Sequence, residues 1–134
     1  MIQVNLVPVV LSSVAAMGVG FVWYSNALFG KKWIELHELK GDKMDKSSMG
    51  KIFGITFLVT LVSAYVLSIF IHYAGAIGLV LGAKTGLWAW IGFVMPTSLA
   101  TYLFTKKPMS LYVIDAGHHL AALLVMGAIL GAWF

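Results

Sequence analysis

The sequence predicts an all-α membrane protein, four transmembrane helices in a bundle, with a short cytoplasmic interfacial helix between spans 1 and 2. Three observations carry this. Hydrophobic residues make up 60% of the chain and charged residues only 10%, whereas a soluble domain carries roughly 25% charge. Four apolar runs each approach the roughly 20 residues that cross a hydrocarbon core of about 30 Å at about 1.5 Å per residue. The runs do not alternate apolar and polar residues as barrel strands do. A lone segment in lipid must close its own backbone hydrogen bonds, which a helix does.

The elements follow in chain order. Span 1 runs from about Val4 to Tyr24. No Lys or Arg precedes it, so it reads as a retained span and not as a cleaved signal peptide. A loop, residues 25–49, comes next. Within it Lys31 to Lys40 reads as a short helix closed by Gly41 in the C-cap role. Trp33, Ile34, Leu36 and Leu39 give that helix an apolar side, and Glu35, Glu38 and the lysines a polar one. Such a helix lies in the headgroup layer, the alternative being a solvated linker. Span 2 covers about Ile52 to Tyr73 and span 3 about Gly86 to Thr105. Ala74 to Thr85 reads equally as a loop, an interfacial helix or a continuation of a neighbouring span. A tight turn through Lys106 and Lys107 leads into span 4, about Leu111 to Trp133. All of this makes one domain, residues 1–134.

Orientation follows from the lysines. The first loop and the start of span 2 carry Lys31, Lys32, Lys40, Lys43, Lys46 and Lys51, and the turn after span 3 carries Lys106 and Lys107. Four spans put both groups on one side, leaving only Lys84 on the other. Loops 25–49 and 106–110 are therefore expected in the cytoplasm and both termini outside. On this reading Trp33 and Tyr112 lie near the inner boundary, and Tyr73, Trp88, Trp90 and Trp133 near the outer one.

Small residues recur at four-residue spacing in Gly50 and Gly54, in Gly78, Gly82 and Gly86, and in Gly127 and Gly131. This spacing lets helices approach closely. Such faces suit a homo-oligomer or a partner membrane protein, with membrane lipids as the surrounding partner. Nucleic acid is not expected, because the lysines sit in short loops and not on a basic face.

Chemistry is expected in the inner half of the bundle. Asp115 is the one acid within the spans, and an ionisable group in a membrane is costly. It shares a helical face with His118 and His119 at three- and four-residue spacing. Trp23, Asn26, Thr97 and Thr101 lie at similar depth on other spans. Together these seven residues form a candidate ligand- or proton-binding site in a cytoplasm-facing pocket. A histidine beside a carboxylate titrates within reach of neutral pH, which suits proton coupling. The alternative is structural: Asp115 pairs with His118, His119 or a threonine hydroxyl and holds the bundle together.

No cofactor or metal is expected. Cysteine is absent, and Asp115, His118 and His119 on one helix make a strained set for a metal that wants three ligands. His72, near the outer face, does not match the depth of His118 or His119 for a haem. No catalytic residue is assigned, since the chain has neither a Gly-rich phosphate loop nor a nucleophile elbow. A continuous pore through one monomer is disfavoured, because the polar stripe of span 2 passes from Thr56, Thr60 and Ser63 to the opposite face at Tyr65, Ser68 and His72. The sequence thus points to a small transporter-like or solute-, ion- or proton-binding membrane protein. The alternative is a non-catalytic membrane subunit or scaffold.

Three segments, Gly20 to Trp33 (GFVWYSNALFGKKW), Trp90 to Phe93 (WIGF) and Leu111 to Trp133 (LYVIDAGHHLAALLVMGAILGAW), together resemble the small bacterial membrane proteins catalogued as domain of unknown function 1761. The resemblance spans nearly the whole chain. It implies a four-helix domain in a bacterial inner membrane and brings no activity with it.

Overall fold

A computed structural model describes residues 4–25, 32, 49–106 and 108–133. The described part is helical, with no strand among the described residues. Its elements are α1 (Leu6–Trp23), α2 (Met49–Ala74), α3 (Leu79–Ala89), a π-helical turn (Trp90–Val94), α4 (Met95–Phe104) and α5 (Met109–Trp133). α3, the wide turn and α4 run on as one long helix, so among the described residues four helices are long and apolar enough to cross a membrane. The interfacial helix expected at Lys31 to Lys40 lies outside the described residues.

α5 is the central element and touches all the other helices. α1, α2 and α5 share a core of Val9, Ala16, Ala64, Leu67, Ile71, Ala122, Met126 and Leu130. The outside of the bundle is also apolar. Val62 is 64% exposed, Phe93 66% and Phe104 89%. Apolar surface on every side would be unfavourable in water and matches a hydrocarbon solvent. The chain is an integral membrane protein, and lipid is the medium its surface meets.

Local chemistry explains the helix ends. Asn5 caps α1, its Oδ1 accepting from the Val7 N–H at 3.0 Å. Pro8 falls in the first turn of α1, where the missing N–H has no partner to lose. Buried Ser12 and Ser13 both donate to the Val9 carbonyl, at 3.0 and 2.8 Å, and so enter the core without orphaned hydroxyls.

The segment from Ala74 to Thr85 is divided. α2 ends at Ala74, and Gly75 takes a positive φ of 63° that stops it. Gly78 follows at φ 106°, and α3 begins at Leu79. The third helix therefore starts about two turns ahead of Gly86, where the apolar run alone sets it. This corrects the expected depth of Trp90, which sits mid-helix and not at the outer boundary. It also places Lys84 inside the helix, exposed, with a side chain long enough to reach the headgroups.

Pro96 explains the wide turn. A proline inside a helix leaves one carbonyl without its donor. Here the Met95 N–H reaches back five residues to the Trp90 carbonyl, which widens the helix just before the proline. Two bonds fix that turn to α5. Trp90 Nε1 donates to the Ala116 carbonyl at 2.9 Å, and Tyr112 Oη donates to the Met95 carbonyl at 3.1 Å.

The small-residue faces divide in two. A Cβ on Gly82 would lie 2.0 Å from the Gly127 carbonyl oxygen, and one on Gly131 would lie 2.4 Å from that of Gly78. The Gly78 N–H donates directly to the Gly131 carbonyl at 2.9 Å. Gly78, Gly82, Gly86, Gly127 and Gly131 thus join α3 to α5 within one chain, so these faces are taken and not offered to a partner. Gly50 and Gly54 have open space where a side chain would stand.

Candidate functional site

Asp115 lies in the second turn of α5, partly buried among three helices. Tyr24, just past the end of α1, donates its hydroxyl to Asp115 Oδ1 at 2.5 Å. Tyr102 of α4 donates to Asp115 Oδ2. Each carboxylate oxygen therefore holds a hydroxyl from a different span. A carboxylate in a low-dielectric setting needs such donors, so this cross-link ties spans 1, 3 and 4 at one depth.

Two indoles frame the same residue. Trp23 Nε1 donates to the Ile114 carbonyl at 2.9 Å, and Trp90 donates to Ala116. The carbonyls just before and just after Asp115 are thus both taken by tryptophans from other spans. Gly117 makes room for this arrangement, since a Cβ there would lie 2.9 Å from Trp23 Cζ2. The Tyr102 and Tyr112 rings meet edge to face with centroids 5.4 Å apart. The result is an aromatic collar around one acid.

The histidines occupy the next turn of α5. His118 packs against the last turn of α1, 5.2 Å from the Tyr24 ring between centroids. Its Nε2 lies 3.1 Å from where a Gly20 Cβ would stand. The His119 ring lies tilted beside that of His118, with centroids 5.2 Å apart. Both face a groove of about 760 Å³ between α1, α2 and α5. Met17, Phe21, Phe53, Val59, Leu123 and Met126 supply most of its apolar wall, and Tyr24, Thr56, Thr60 and Ser63 its remaining polar groups.

The structure brings together four of the expected site residues, Trp23, Asp115, His118 and His119. Thr97 and Thr101 lie elsewhere. Both are exposed, and their hydroxyls donate along their own helix, Thr97 to the Phe93 carbonyl at 2.5 Å and Thr101 to the Thr97 carbonyl at 3.1 Å. A threonine that back-bonds this way has satisfied its donor without any neighbour. Asn26 lies outside the described residues. The partners of Asp115 differ from the expected histidines or threonines. Tyr24 and Tyr102 stand at span ends, where tyrosine ordinarily reads as an interfacial anchor. The available signal is the hairpin itself, which sets Tyr102 and Asp115 on either side of one short turn.

Among the described residues, no three His, Asp or Glu side chains gather as a metal would require. The collar can exchange hydrogen bonds between the carboxylate and the tyrosine hydroxyls.

No match to the chain was found among curated proteins or among solved structures. The family model described as Protein of unknown function (DUF1761) matches residues 7–131, nearly the full length, and the chain belongs to that family.

Proposed function

We propose that this protein is a small transporter-like membrane protein that binds a proton, a cation or a small polar solute at a cytoplasm-facing site built on Asp115, His118 and His119. The observation that carries the reading is the setting of Asp115. An acid inside a span is costly, yet this one holds hydroxyls from two other spans and adjoins a groove bearing two imidazoles. A purely structural acid needs the hydroxyls but has no use for the groove. The protein would sit in the inner membrane of a bacterium, with residues 25–49 and 106–110 in the cytoplasm.

The test is thermal unfolding of the purified protein against a panel of ions and small solutes across pH, for wild type and Asp115→Asn. The variant is expected to insert and fold but to lose the solute- or pH-dependent shift. An identical response in both proteins would end this reading. A second reading, a non-catalytic subunit or scaffold, draws on the open face at Gly50 and Gly54. It predicts copurification with a larger complex, and Asp115→Asn would then change stability alone.

A further inference from the structure

We propose that the groove between α1, α2 and α5 binds an uncharged single-chain membrane amphiphile, its head hydrogen-bonded to His118 and His119 and its tail directed toward the middle of the membrane. The inference rests on the preceding reading of the two histidines as a binding element and goes beyond it, adding an amphiphile in the groove to the proton, cation or small polar solute at the Asp115 site.

Four observations support it. The first is hydrogen bonding. Among the described residues neither imidazole makes a hydrogen bond, although both are ring partners of their neighbours. A polar group inside a span without a partner costs free energy. Thr56 and Thr60 differ, because their hydroxyls donate to the Ile52 and Thr56 carbonyls at 2.7 Å each. A serine such as Ser63 can turn to its own helix in the same way, as the His72 imidazole does with the Ser68 carbonyl at 2.7 Å, but His118 and His119 do not, and the carbonyl four residues before His118, that of Ile114, is already taken by Trp23. An occupant of the groove would supply the partner that both imidazoles lack.

The second observation is size: about 760 Å³ falls within the range of small-molecule sites, roughly 300–1,000 Å³. The third is direction. The polar end of the groove lies at His118 and Tyr24, by the last turn of α1, and the wall then runs to Ala16 and Met126. That is about 12 Å along α1 at the helical rise, from Tyr24 just past its end to Ala16 near its middle, which is how a membrane amphiphile lies. The fourth is charge. No Lys, Asp or Glu is among the described residues lining the groove. Among the described residues the one carboxylate, Asp115, stands behind the Tyr24 hydroxyl with both its oxygens bonded. Among the described lining residues an anionic head would find no cation and a cationic head no counter-charge in contact.

The experiment uses three probes with one chain and different heads: 1-monooleoylglycerol, oleate and oleylamine. Binding to the full-length protein in detergent is measured by native mass spectrometry for wild type, Val59→Trp, Ser63→Phe and His119→Leu, with circular dichroism confirming the fold. Val59 faces open groove, so the added ring fills it without entering the core. Wild type is expected to retain monooleoylglycerol in preference to both charged probes. Either groove-filling variant should weaken that binding by tenfold or more, and His119→Leu by about tenfold. Equal retention by a folded Val59→Trp or Ser63→Phe would overturn the groove as the site. Preference for oleate or oleylamine would overturn the uncharged head. Absence of monooleoylglycerol binding, with an Asp115-dependent solute or pH response still present, would remove this inference and leave the proposed function standing.

Discussion

Asp115 satisfies both its oxygens with phenol hydroxyls, so each tyrosine has a measurable share. Removing one hydroxyl leaves the carboxylate one donor short at fixed shape, which costs about 1–2 kcal/mol for a bond to a charged acceptor in a membrane setting. Tyr24→Phe and Tyr102→Phe are therefore each expected to lower stability by that amount in a reversible denaturant titration in mixed micelles. Because both hydroxyls serve one carboxylate, the double variant should depart from additivity. Strict additivity would mean that the two bonds are independent. Gly117 belongs to the same residue-scale logic. Gly117→Leu should push the Trp23 indole off the Ile114 carbonyl and shift tryptophan emission, while Gly18→Leu, with open space around it, should leave the spectrum alone.

At the scale of elements, the α3–α5 contact is made of backbone against backbone. A side chain at Gly82 or Gly127 has nowhere to go, since the nearest atoms are carbonyls about 2 Å from the added carbon. Gly82→Val and Gly127→Val are expected to cost about 3 kcal/mol or more, the upper range for overpacking. Gly54→Val meets only open space and should stay within about 0.5 kcal/mol. A blue-native gel adds a second readout for Gly54. A change of oligomeric state there, with the fold intact, would favour the scaffold reading. The wide turn before Pro96 shows how one element serves another: it presents Trp90 and the Met95 carbonyl to α5 at the depth of Asp115.

For the whole molecule, the side of the membrane that each end faces is the property with the widest consequence. The chain has no cysteine, so single cysteines report topology cleanly. Ser110→Cys is expected to react with a membrane-impermeant maleimide only in inverted vesicles, and Ile77→Cys, which is 61% exposed, only in intact cells. The reverse pattern would invert the proposed orientation and turn the Asp115 site away from the cytoplasm.

The apolar runs alone determined that the chain is a four-helix membrane protein, because each run carries its own length and hydrophobicity and needs no partner to be recognised. Asp115, His118 and His119 were legible for the same reason: polarity on an apolar helix is a property of one segment. What surrounds Asp115 was not legible. Tyr102, Tyr24 and Trp90 become its neighbours only through the way helices pack, and a tyrosine or tryptophan in a span looks alike whether it meets lipid or a carboxylate. The glycines that suit a second copy of the chain instead join α3 to α5, and Thr97 turns back on its own helix. Tertiary structure decided these points because contact between spans depends on rotation and depth, which local sequence leaves free when every face of every helix is apolar.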